Sequence, residues 1–129
     1  MTGVQTCALP ISIARAVVTE PPLVLYDSPT AGLDPITAHT IIALLIKERD
    51  MKQTTTLLVT QRYQDGNLIA NFRYNSKQGR LEPARDGAGR AMPTTFMVLR
   101  EGRLIFEGGQ DELEQSKDSY ISKFVKQRV

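Results

Sequence analysis

The chain has 129 residues, 41% hydrophobic and 23% charged, with a formal net charge of +2. This is the composition of one globular domain, or part of one, and it excludes a disordered, fibrous or two-domain chain. So small a charge makes no case for nucleic acid or an anionic surface as partner, and a lone cysteine, Cys7, excludes an internal disulfide and fits a reducing compartment.

Met1 to Val18 lacks a basic leader and is interrupted by Arg15, which makes a poor secretion signal. The longest apolar run, Ile41 to Ile46, is far short of a membrane span. Ile13 to Val18 reads as the end of a helix, closed off by Pro21-Pro22. Leu23 to Asp27 is a short continuous apolar run, predicted to be a strand covered on both faces in a parallel sheet. Gly32 then makes a turn, Asp34 is a candidate N-cap, and Pro35 suits the first helical position. Ala38, Ile41, Ile42, Leu45 and Ile46 form a helix stripe, with Lys47 and Arg49 near its end, where the dipole favours cations. Thr54 to Thr60 is a second, β-branched strand, and strand, helix, strand in this order implies a right-handed parallel crossover.

Between Asn75 and Pro93 lies a stretch rich in Gly, Pro, Arg and Ser without periodicity. It is predicted to be an exposed loop insertion whose arginines, beside Glu82 and Asp86, are solvated rather than bound to nucleic acid. Phe96 to Leu99 and Leu104 to Phe106 flank Glu101-Gly102-Arg103, a hairpin signal. Two short helices close the chain, one around Asp111 to Gln115 and one from Ser119. Tyr120, Ile121, Phe124 and Val125 give the second a docking face.

Ligands of open parallel sheets bind beyond the carboxyl ends of the strands, which is where Asp27 falls. A carboxylate there commonly holds Mg²⁺, often through water, beside phosphate oxygens. The plainer alternative is a carboxylate that only caps a nearby helix or loop.

The stretch "LVLYDSPTAGLDP" resembles the second half of an ATP-binding cassette (ABC) transporter ATPase. Leu23 to Asp27 matches its Walker B strand, and Thr30 to Pro35 its D-loop. "IARAVVTEPPLVLYD" matches the lead from the signature helix, "TTLLVTQ" the strand before the switch histidine, and "FMVLREGRLIFEGG" the terminal hairpin. "GLDPIT" and "DSYISKFV" look most like the ATPases of bacterial Mce/Mla-type lipid transporters. The resemblance implies an α/β fold: the C-terminal part of a P-loop NTPase domain, with a parallel β-α-β core, a β-hairpin and C-terminal helices. It implies ATP and Mg²⁺ as cofactors, and a second ATPase copy and transmembrane permease subunits as partners, with an Mce-type lipid-binding protein as a further one. It also implies a cytoplasmic place, peripheral on the inner membrane, where ATP hydrolysis powers transport, lipid being the suggested cargo. Position by position, Asp27 would hold Mg²⁺ through water, Ser28 would face the attacking water, Gln61 would lie near the γ-phosphate, and Asp34 would approach the partner subunit's site. For Asp34 a simple N-cap is an equal and compatible reading, and Gly32 serves the turn only.

Three departures qualify the match. Ser28 stands where the family has a glutamate, and a hydroxyl is too weak a base for that role; Pro29 is expected to keep Ser28 extended. Gln61 replaces the switch histidine and can donate a hydrogen bond but not titrate; the single histidine, His39, lies off the apolar stripe and is predicted to be a surface residue. Finally, no Gly-x-x-x-x-Gly-Lys-Ser/Thr occurs, the signature loop falls at "GVQTC" (Gly3 to Cys7), and Pro10 interrupts its helix. "MTGVQTCALPI" resembles translated adapter read-through, so residues 1–11 are expected to be non-native and 12–129 to be the C-terminal part of a longer domain. Alone, such a part should expose sheet edges, lose much of the cover over the apolar faces of Leu23 to Tyr26, be marginally stable and bind ATP weakly. Two other readings remain open: a non-hydrolysing ABC-fold regulatory or structural partner, and a phosphoacceptor receiver domain, for which no acidic pair precedes Asp27.

Overall fold

The computed structural model describes residues 11–84 and 93–127. The expected non-native stretch up to residue 10, with Gly3 to Cys7 and Pro10, lies outside them, as do residues 85–92 of the expected insertion. Helix α1 (residues 11–17) leads into strand β1 (Leu23–Asp27), helix α2 (Pro35–Lys52) and strand β2 (Thr55–Val59). The two strands pair in parallel, with Leu25 opposite Leu57 and Asp27 opposite Val59.

Helix α2 is delimited by the signals its sequence carries. Asp34 caps the N-terminus, Pro35 sits in the first turn, and Gln53 closes the C-terminus in a left-handed conformation (φ 51°). Its stripe of Ala38, Ile41, Ile42, Leu45 and Ile46 is buried, and all but Ala38 belong to a core cluster with Ile13, Val24 and Tyr26. His39 is exposed, as expected. Arg49 lies in the last turn, as expected, and the structure adds a second role for it. It is buried, its Nε bonds Asp50 at 2.8 Å, and its two terminal nitrogens donate to the carbonyls of Ile69 (2.6 Å) and Phe72 (2.9 Å).

The expectation that β1 is covered on both faces is corrected to one face, and the loss of cover expected over Leu23 to Tyr26 is found on the other. Val24 and Tyr26 face α2 and are buried, but Leu23 and Leu25 are 50% and 64% exposed, and Leu57 and Val59 of β2 are 50% and 52% exposed. Strand alternation puts these four on one side of the sheet, and α2 can cover only the other. An apolar run therefore marks the strand without telling how many of its faces are occupied.

Helix α3 (Tyr63–Asn71) follows β2, without a counterpart in the sequence reading. The predicted loop from 75 to 93 is also corrected, because it opens with a hairpin of β3 (Phe72–Asn75) and β4 (Arg80–Pro83). Asn75 Oδ1 accepts the amides of Lys77 and Gln78, Gly79 takes the left-handed φ of 65° that closes the turn, and an Arg73–Glu82 pair at 2.8 Å bridges the strands. Strands β5 (Phe96–Arg100) and β6 (Arg103–Gly108) form the expected hairpin. Glu101 and Gly102 both have positive φ, the signature of a two-residue primed turn, so Arg103 belongs to the strand. Helices α4 (Gln110–Glu114) and α5 (Ser119–Lys126) end the fold, with Ile121 buried and Tyr120, Phe124 and Val125 half-buried. A largely apolar groove of about 450 Å³ separates β2 from β5 and is floored by Ile121, Phe124 and Val125.

Candidate functional site

Strands β1 and β2 end side by side. The ladder runs one step past Asp27, since the Ser28 amide donates to the Val59 carbonyl at 2.8 Å. Beyond this point the two chains diverge around a crevice of about 250 Å³, lined among others by Ser28, Thr30, Leu33, Thr60, Gln61 and Arg62. Two of the sequence-predicted residues, Ser28 and Gln61, thus share one crevice at the carboxyl ends of parallel strands.

Ser28 is not extended as the Pro29 rule suggested. Its φ is +46°, in the left-handed region. The cause is a turn that starts at once: the Ser28 carbonyl accepts the Ala31 amide at 3.1 Å, and the Thr30 carbonyl accepts that of Leu33 at 3.2 Å. Gly32, at φ +73°, completes the reversal, as its identity implied. A left-handed serine costs of order 1 kcal/mol, so the loop holds a little strain beside the strand end.

Asp27 is exposed and lies on the uncovered face of the sheet, next in sequence to Ser28 but not itself in the crevice lining. Its Oδ1 receives one long bond, 3.4 Å, from the Ser28 hydroxyl. Asp34 is committed to α2. Its Oδ1 accepts the amides of Ile36 and Thr37, both at 3.0 Å, and its Oδ2 the Thr37 hydroxyl at 2.6 Å. These bonds, the Thr37 hydroxyl first, hold its carboxyl below the usual value of 3.8. The capping role is realised in full.

Sequence reasoning missed Asp65. This carboxylate is 1% exposed, and its Oδ2 accepts the hydroxyls of Thr30 (2.5 Å) and Thr60 (2.8 Å). Arg62 Nε lies 3.8 Å from its Oδ1, and Thr60 Oγ1 accepts the Arg62 amide at 3.1 Å. A threonine just past the end of each strand, with an Arg-x-x-Asp after the second, was the available signal.

Among the described residues no group of three His, Cys, Asp or Glu could hold a metal by protein ligands alone. Mg²⁺ does not need such a cage: it keeps several waters and takes one or two carboxylates plus substrate phosphates. Asp27, exposed and nearly unbonded, fits that role. Arg62 adds a cation to the crevice wall, which suits an anionic ligand. No helix among the described residues is long and apolar enough to cross a membrane.

No family model matches the chain. Curated proteins do. The lipoprotein-releasing system ATP-binding protein LolD of Colwellia psychrerythraea is 38% identical over 88 residues, 68% of this chain and 34% of that protein. The intermembrane phospholipid transport system ATP-binding protein MlaF of Haemophilus influenzae is 24% identical over 115 residues, 89% of this chain and 35% of that protein. The phosphonates import ATP-binding protein PhnC 2 of Cupriavidus metallidurans is 32% identical over 117 residues, 91% of this chain and 33% of that protein. The chain spans about a third of the length of these relatives.

Proposed function

Since this chain is a relative of the ATP-binding subunits of ABC transporters, we propose that it supplies the magnesium-facing and switch portion of an ATP site and is completed by a phosphate-gripping loop from outside these 129 residues. The observation that carries the proposal is the meeting of Ser28 and Gln61 in one crevice where parallel β1 and β2 end, with Asp27 the last residue of β1 before it.

Each residue has a physical role in this reading. Asp27 offers an open carboxylate to a hydrated Mg²⁺, and the metal, when bound, neutralises charge on the phosphate oxygens. Gln61 presents an amide that can donate to a terminal phosphate oxygen without titrating. Ser28 faces the place of the attacking water, but its hydroxyl takes a proton poorly at neutral pH. Losing a general base costs ~10²–10⁴ in rate, about 3–5 kcal/mol of barrier. Turnover is accordingly slow. Asp34, held by its own helix, reaches a partner subunit only through its backbone or by giving up the cap. The complete subunit would dimerise and dock on membrane permease subunits from the cytoplasmic side. Its cargo is a lipid or lipid-linked molecule, supported by the names of the LolD and MlaF relatives, and an Mce-type lipid-binding protein is the further partner.

A second reading, a non-hydrolysing partner of the same fold, is favoured by the two substitutions at Ser28 and Gln61. Nuclear magnetic resonance with Mn²⁺-ATP tests the site even at millimolar affinity. Broadening of the Ser28 and Gln61 amides, lost in Asp27→Asn, is expected. Broadening spread over the surface, or unchanged in Asp27→Asn, would refute it. Phosphate release from a longer protein carrying this segment then separates slow hydrolysis from none.

A further inference from the structure

We propose that Asp65 is a positioning residue, one buried carboxylate that fixes the spacing between the Ser28 and Gln61 arms of the crevice; this rests on the nucleotide-site reading above. Thr30, Arg49 and Asp65 are the buried polar side chains of the described residues. Arg49 is satisfied by its α2 neighbour Asp50 and by the carbonyls of Ile69 and Phe72 around the far end of α3. Thr30 and Asp65 satisfy one another, and a carboxylate so deeply buried persists only when its oxygens are well bonded.

The geometry of those bonds has a consequence for the crevice. Both hydroxyls go to the same oxygen, Oδ2, at 2.5 and 2.8 Å. Thr30 stands two residues after Ser28, inside the turn that gives Ser28 its left-handed backbone. Thr60 immediately precedes Gln61, and its Oγ1 also receives the Arg62 amide. One atom therefore ties together the two loops that carry the crevice residues, although their threonines are thirty positions apart in sequence. A lengthened contact at either hydroxyl changes the separation of Ser28 from Gln61. The oxygens of Asp65 go to Thr30, Thr60 and Arg62, and among the described residues the Ser28 and Gln61 side chains do not bond it, so the carboxylate acts through the loops and not on a ligand.

The test uses the 129-residue chain with Thr30→Val, Thr60→Val, the pair together, and Thr30→Ser. Amide hydrogen exchange is measured without nucleotide, and Mn²⁺-ATP broadening at Ser28 and Gln61 is compared. Losing a bond to a charged group should speed local exchange on the order of tenfold. Thr30→Val is expected to do so at Arg62, on the other loop, and Thr60→Val at Ala31. The pair should add little to either alone, and Thr30→Ser should restore the parent values. The ratio of broadening at Ser28 to that at Gln61 should shift in both valine variants, a change that general loss of stability would not give. Each valine loosening only its own loop, or an unchanged ratio with nucleotide still localised, overturns the inference and leaves the site reading intact. Absence of localised broadening in the parent chain overturns both. If Thr30→Val does not fold, Thr60→Val, at a half-buried position, carries the same comparison.

Discussion

Replacing Leu25 by threonine should cost this chain little, while truncating Leu45 should cost it much. Both are leucines of apolar segments, but Leu25 is 64% exposed on the free face of β1 and Leu45 is 1% exposed under it. Full burial of a leucine side chain contributes ~1.5–3 kcal/mol. With about a third of that burial realised at Leu25, the loss is about 0.5–1 kcal/mol, and threonine keeps the strand preference. Leu45→Ala removes the whole contribution and leaves a cavity, ~2–5 kcal/mol. Leu57→Thr, also half open, should behave like Leu25→Thr. Urea unfolding followed by circular dichroism, at two protein concentrations, gives all three differences. A Leu25→Thr cost matching that of Leu45→Ala would refute the reasoning, because the face would then be covered in solution. A parent midpoint that rises with concentration would name the cover as a second copy. In a longer polypeptide that packs another layer on this face, the Leu25→Thr cost should climb toward the full leucine value.

Four further outcomes follow from the geometry. Arg49→Lys cannot span Asp50 and two carbonyls with one ammonium, so it should lose ~1–3 kcal/mol and speed exchange in the β3–β4 hairpin; parent-like protection would contradict the clamp. Ser28→Val, β-branched at φ +46°, should cost about 1–2 kcal/mol while Ser28→Gly stays near neutral, and the reverse order in urea melts would return Ser28 to extended backbone. Asn75 first, then Arg73, hold the Glu82 carboxyl below 4.5, so its contribution is full above that value and lost as pH falls through the lower folded value; acid should deprotect the β3–β4 hairpin in the parent and not in Glu82→Gln. Burial, and secondarily Glu48, push the Tyr26 phenol above 10.0, so its support is full below pH 10.0 and lost as pH rises through the folded value; alkaline melts of Tyr26→Phe should be less steep.

The parts of this fold legible in the sequence are those whose periodicity a single element can satisfy. Ala38 through Ile46 gave α2 its buried face, and Asp34, Pro35 and the Glu101-Gly102 pair gave element ends, because each answers a local backbone requirement. Helix α3 escaped because Gly66, Asn67 and Asn71 dilute its pattern, and because it is held from elsewhere, by Arg49 on the Ile69 carbonyl and by Thr30 on its own Asp65. The β3–β4 hairpin escaped because Arg73, Asn75 and Glu82 read as loop residues until they face one another across the strands. At the site, the strand ends were readable, and Ser28 and Gln61, each singled out separately, do line one crevice. The left-handed turn at Ser28 was not, since the following proline argues for extended backbone and only the Val59 and Ala31 contacts decide otherwise. Asp65 was harder to read: Thr60 lies five positions before it and left a local trace, but the Thr30 hydroxyl comes from 35 positions away.

Helix α3 is fastened near both ends, by Asp65 to the threonines of the crevice and by Arg49 to the carbonyls of Ile69 and of Phe72 just beyond it. Nine residues make a strut about 13 Å long. Such a rod does not shorten, so a displacement of either loop must swing it about the guanidinium pivot. The hairpin that hangs from Phe72 would then report, as a lever arm, whatever happens at the opposite end.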